Sequence, residues 1–139
     1  MAEISNDPPT DIETLREAQA ESQLWVACDG NDVPIGFVLA RLVDGALYIQ
    51  ELDVMRAYQR RGIGGRLIAA VCDAARDRGD STVMLSTFAD VPWNAPYYER
   101  LGFRRLEHAE LTPALRAIEA EEAAFGLDTT RRVFMGRTL

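Results

Sequence analysis

Apolar residues fall at every second position from Leu24, then at every third or fourth from Ile63, and this change of period divides the chain. LWVACDG and VPIGFVLARLV read as two strands joined at the turn residues Asp29 to Asp32. Asp44-Gly45 marks a second tight turn, and ALYIQELDVM is then the third strand of an antiparallel meander. Ile63, Leu67, Ile68, Val71, Ala74 and Ala75 keep helical spacing until Arg78-Gly79-Asp80 stops them. STVMLSTF follows as a buried strand, so the strand-helix-strand unit implies a parallel pair with a right-handed crossover. Asn94 caps a short helix running to Gly102, and GFRRLEH is a further strand. LTPALRAIEAEEAAFGL is a helix with Thr112 as cap, Pro113 at its first position and Gly126 as stop, before a last strand, RRVFMGR. Ahead of the meander, residues 1–9 are a polar tail with two prolines, and Thr10 or Asp11 starts a helix to about Ser22, with Ile12, Leu15 and Gln19 inward. The expected class is α/β with a mixed sheet, one domain over residues 10–139.

Composition narrows the function. A formal charge of −7 on 139 residues argues against a nucleic-acid binder, and no apolar run approaches membrane-spanning length or forms a signal-peptide core. A cytoplasmic protein is the expectation. Cys28 and Cys72 form neither a CxxC pair nor a secreted framework and read as buried free thiols. His108, the single histidine, has no ligand set around it, so it reads as a surface or strand-end residue and no metal is expected. Trp25 reads as core and Trp93 as a wall of the site. All fifteen basic residues are arginine, and Arg56, Arg60, Arg61 and Arg66 crowd one glycine-rich loop of an otherwise acidic chain. Glycines let backbone N–H groups approach a phosphate, and the following helix points its positive end there.

A Walker A loop needs Gly-Lys-Ser/Thr, and this chain has no lysine; a dinucleotide fingerprint needs glycine where Leu67 stands. What fits is Gln59-Arg60-Arg61-Gly62-Ile63-Gly64 at a strand-to-helix junction, five residues after Val54, together with Tyr98-Glu99-Arg100-Leu101-Gly102-Phe103 downstream. The first resembles the acetyl-coenzyme A loop, and the second the Y-x-x-x-G-F element, of the GNAT superfamily of N-acetyltransferases. Together with the order of elements the likeness covers about residues 24 to 138.

The resemblance implies a GNAT fold and acetyl transfer from acetyl-coenzyme A to a primary amine of a small molecule or peptide by direct attack. Leu52, Val54, Gln59, Arg60, Arg61, Gly62, Ile63, Gly64, Gly65 and Arg66 would hold the cofactor, with a backbone N–H near Leu52 to Val54 facing the developing oxyanion. An alkylammonium with a pKa near 10.4 is neutral about once in two thousand molecules at pH 7, so a base is useful. Glu51 is placed to serve, and Asp53 shares its strand face if no bulge intervenes. Tyr98 matches the tyrosine that protonates the departing thiolate, with Tyr97 as its packing neighbour. The family's asparagine is expected seven residues before that tyrosine, where Val91 stands; Asn94, four before, is a weaker cofactor contact and a stronger helix cap. The family's N-terminal strand is expected to be missing, replaced by a helix, which leaves an open edge for pairing with a second copy. An alternative keeps the loop without the chemistry, as a non-catalytic acyl-coenzyme A-binding module.

Overall fold

The computed structural model describes residues 12–16, 22–89, 94–126 and 131–139. Seven strands form one mixed sheet in the order β1-β2-β3-β4-β5-β7-β6: β1 Ile12–Arg16, β2 Ser22–Cys28, β3 Pro34–Val43, β4 Ala46–Val54, β5 Thr82–Phe88, β6 Arg104–Arg105 and β7 Arg132–Thr138. Helix α1, Ile63–Arg78, crosses from β4 to β5, α2, Ala95–Arg100, follows β5, and α3, Pro113–Ala124, lies between β6 and β7.

The meander forms as its turns dictate. Asp29 Oδ1 accepts from the backbone N–H groups of Asn31 (2.8 Å) and Val33 (3.0 Å), closing the β2–β3 turn through a local side-chain bond. Asp44 and Gly45 both take positive φ, +55° and +75°, the geometry of a two-residue hairpin between Val43 and Ala46. β4 and β5 pair in parallel, as the crossover through α1 requires.

The sheet separates two cores. On one face, Trp25, Val38, Ala40, Leu47, Ile49, Val83 and Leu85 pack against Ile63, Leu67, Ile68 and Val71 of α1 and Ala95 of α2. On the other, α3 sets Leu115 and Ile118 onto Tyr48, Met84 and Phe134. Cys28 and Cys72 are buried and form no disulfide, and Trp25 is core.

Two expectations are corrected. Residues 12–16 and 22 are strand rather than helix, and β1 pairs antiparallel with β2 from Ile12↔Ala27 to Arg16↔Gln23. The N-terminal strand is therefore present, and β1 rather than β2 forms that edge of the sheet. GFRRLEH contributes only the two-residue β6, because Glu107 then caps a one-turn 3₁₀ segment, His108–Glu110, through a reciprocal capping box. The expected tail at residues 1–9, and Val91 and Trp93, lie outside the described residues.

Candidate active site

The site is built where β4 and β5 part. They pair only from Leu47↔Val83 to Ile49↔Leu85, although β4 runs on to Val54 and β5 to Phe88. A bulge sits at the same level: Leu39 pairs with Glu51 and Ala40 with Ile49, which leaves Gln50 as the extra residue. Its consequence is parity. Leu47 and Ile49 face the α1 core, and so do Leu52 and Val54, so Gln50 and Glu51 both point away from it and are exposed. Without the bulge Glu51 would share Ile49's face and be driven into the apolar core. Asp53 stands two residues on, exposed on the same face as Glu51.

Beyond Val54 the chain turns through a 3₁₀ segment at Arg56–Tyr58 into the glycine loop. The Gln59 side-chain amide donates to the Val54 carbonyl at 2.9 Å, tying the loop back to the strand end. Arg60 (φ +66°) and Gly62 (φ +80°) alternate with residues of ordinary handedness, the backbone pattern that turns successive N–H groups to one side as an anion nest. Gly62 is the N-cap of α1 and has no side chain to cap it. The N–H groups of Ile63, Gly64 and Gly65 form the first helical turn and so have no partner within the helix. Arg56, Arg60 and Arg61 are exposed around this rim, Arg61 over the Tyr58 ring at 5.3 Å, and Arg66 is half-buried.

The two tyrosines of α2 divide differently from the sequence expectation. Tyr98 packs against the main core, edge-on to Tyr97 (5.3 Å) and Phe103 (5.8 Å), and burial pushes its hydroxyl up to about 12. Tyr97 reaches the loop: a β-carbon built on Gly64 would lie 2.7 Å from its hydroxyl oxygen and 3.9 Å from Leu52 Cδ2. Burial raises its pKa too, against the opposing effect of Arg100. Tyr97 is thus the residue that sequence reasoning set aside as packing. Asn94 occupies the N-cap of α2, where its carbonyl accepts from Tyr98 N–H at 3.0 Å, but its side chain makes no capping bond. The side-chain cap expected there is absent.

A polar cluster on the α3 side carries no sequence motif. Ser86 Oγ donates to Glu122 Oε2 (2.9 Å), Arg132 Nη2 donates to the Ser86 carbonyl and hydroxyl (3.2 Å each), and Arg132 Nε lies 3.1 Å from Glu122 Oε1. Tyr48, beside it, has its pKa pushed up to about 12, first by burial and then by the Glu122 charge. His108 stays on the surface, 3.6 Å from Glu119. Among the described residues no cluster of His, Cys, Asp and Glu could hold a metal, and no helix is long and apolar enough to cross a membrane.

A meander parted from its parallel neighbour, with a glycine nest at the parting, defines an acyl-coenzyme A N-acyltransferase fold. Residues 2–103 match the model of the Acetyltransferase (GNAT) family, and the chain belongs to that family. Among individual relatives, it is 29% identical over 102 residues to the uncharacterized N-acetyltransferase YjcF of Bacillus subtilis, covering 73% of this chain and 70% of that one. It is 34% identical over 107 residues to the probable N-acetyltransferase camello of Xenopus tropicalis, covering 76% of this chain but 48% of that protein, so it spans about half of it. Two solved structures share the fold at a TM-score of 0.67. One is a GNAT acetyltransferase from Staphylococcus aureus (18% identity; 85% of this chain and 68% of that one). The other is a putative streptothricin acetyltransferase from Bacillus anthracis in complex with acetyl-coenzyme A (17% identity; 88% of this chain and 65% of that one).

Proposed function

We propose that this acetyltransferase moves the acetyl group of acetyl-coenzyme A to a primary amine without a covalent enzyme intermediate. The observation that carries the reading is the parting of β4 and β5, with the glycine nest at its rim and Glu51 turned by the bulge to the face opposite α1. The pyrophosphate lies on the N–H groups at the start of α1, and the arginines around the loop, Arg60 and Arg61 among them, supply positive charge. The thioester then passes between the strands beside Leu52 and Val54, and a backbone N–H there meets the oxyanion.

Glu51 takes the proton of the attacking amine, directly or through water. Tyr98 protonates the departing thiolate; like any tyrosine it carries its proton at neutral pH, and burial raises its pKa further. Tyr97, at the inner wall of the loop, positions the cofactor. Asn94, at the entrance to α2, is the remaining contact proposed for the cofactor.

The test is thiol release from acetyl-coenzyme A across a panel of amines. Tyr98→Phe and Glu51→Gln each lower kcat by about 10²-fold or more while the thermal shift with acetyl-coenzyme A persists. Tyr97→Phe acts instead on KM for acetyl-coenzyme A. An undiminished kcat in Tyr98→Phe removes the acid assignment. Cofactor binding with no turnover of any amine replaces the whole reading with an acyl-coenzyme A-binding module.

A further inference from the structure

We infer that the cavity between the sheet and α3 is the acceptor pocket, and that it takes a small primary amine which also carries a carboxylate, an amino acid. This rests on the acyltransferase reading above. Ile49 and Leu85 are the last paired residues of β4 and β5, and the next residue on each strand, Gln50 and Ser86, lines this cavity of about 290 Å³. It therefore opens at the level where the strands part, on the side opposite α1 and its glycine nest. α3 closes it with Ile118, Glu121 and Glu122.

Its charged groups differ in how they are held. Arg132 is largely buried, its Nη2 donating to the Ser86 carbonyl and hydroxyl and its Nε 3.1 Å from Glu122 Oε1 as an ion pair, although that Nε too makes no hydrogen bond among the described residues; two bonds and a close carboxylate fix it to the wall. Arg41 is held loosely: its nearest carboxylate, Glu121, is 3.9 Å away and 64% exposed. Its guanidinium carbon lies over the Tyr48 ring at 5.8 Å. Among the described residues its buried Nε donates no hydrogen bond. A guanidinium in that condition, on the wall of a cavity, is suited to a carboxylate that accepts from it.

The spacing fits an acid and an amine on one small molecule. Arg41 is opposite Tyr48 and Glu51 is opposite Leu39, so the two residues share a face on neighbouring strands, offset by two positions or about 7 Å of backbone along the strand direction. The carboxylate on Arg41 turns the amine toward Glu51 and the thioester. Glu51 takes the ammonium proton, nitrogen attacks the acetyl carbon, and the C–S bond breaks to leave an amide and the coenzyme A thiol.

The experiment compares amino acids, their methyl esters and the matching alkylamines as acceptors for the full chain with acetyl-coenzyme A, read as kcat/KM by thiol release. The native protein is expected to prefer the free acids by about tenfold or more, the loss of one charge-assisted hydrogen bond. Arg41→Gln erases the preference by raising KM for the acids, leaving the ester rate and KM for acetyl-coenzyme A unchanged, and Arg41→Lys restores part of it. Should Arg41→Gln fail to fold, Glu121→Gln, at an exposed position, is expected to lower KM for the acids by removing a negative charge from the cavity wall that the incoming carboxylate faces. Turnover of esters, alkylamines or peptide amines as readily as acids overturns the proposal, as does a preference that survives Arg41→Gln or a KM unmoved by Glu121→Gln. If no amine is acetylated while acetyl-coenzyme A binds, the transferase reading fails instead.

Discussion

At the scale of single residues, the site depends on which atoms stand at the start of α1. Gly64 is the tightest point, because any β-carbon there meets the Tyr97 hydroxyl at 2.7 Å. That oxygen ends a flexible side chain, so the fold can yield by swinging Tyr97 aside. Gly64→Ala is therefore expected to cost only about 1 kcal/mol, the low end of overpacking, in urea unfolding. Its larger effect falls on KM for acetyl-coenzyme A, since Tyr97 is displaced from its place against Gly64 at the start of α1. A stability loss with KM unchanged would show that Tyr97 stands clear of the cofactor.

Tyr98 and Tyr48 give a pH signature. Both hydroxyls are raised to about 12 from an ordinary 10.0, mainly by burial. The folded state holds these protons more tightly than the unfolded state does. Their contribution to stability is thus complete below pH 10 and is lost as pH rises toward 12. Tyrosinate absorbance is expected to show Tyr48 and Tyr98 ionising only near pH 12 or on unfolding, with Tyr97 also delayed by its burial. Tyr98→Phe removes one of these late steps and flattens the fall in stability over that window.

Among the elements, the glycine nest and α1 were legible because their signals are local: helical period, glycine position and a stop at Gly79. α3 was legible for the same reason, with Thr112 Oγ1 accepting from Leu115 N–H at 3.2 Å as a capping side chain should. Thr112→Ala is expected to cost about 1 kcal/mol, somewhat more here because Thr112 Oγ1 also donates to Asp44 in the β3–β4 turn. A thermal or urea melt measures it, and a loss below about 0.5 kcal/mol would mean that water replaces the cap. β1 was misread because Thr10 and Asp11 look like helix caps, while the strand exists through pairing with β2, which local propensity does not see. The bulge left one trace, the adjacent polar pair Gln50-Glu51 that interrupts the alternation of β4. The cavity under α3 left none, since Arg41, Ser86, Glu122 and Arg132 come from four separate elements and meet only in the fold.

Taken whole, the molecule sets a local field against a global one. The net charge of −7 opposes an anionic cofactor, while four arginines lie on or beside the loop where its phosphates would rest. Distance decides between them. At physiological ionic strength charges are screened over about 8 Å, so remote acidic residues contribute little while arginines at the phosphates act almost unscreened. Affinity for acetyl-coenzyme A should therefore fall as salt rises, the sign set by the loop; a molecule governed by its net charge would bind more tightly instead. Saturation should also stabilise the fold: at 100 times Kd the gain is about 2.7 kcal/mol, or a Tm rise of about 10 °C for a chain of this size. Titrating acetyl-coenzyme A against Tm at low and high salt reads both quantities in one experiment. A double variant, Arg60→Gln with Arg61→Gln, should lower the salt dependence and the Tm gain together, each compared with the melting temperature of that variant's own free protein. If the salt dependence survives that change intact, the phosphates rest elsewhere on the molecule and the nest at Gly62 to Gly65 loses its assignment.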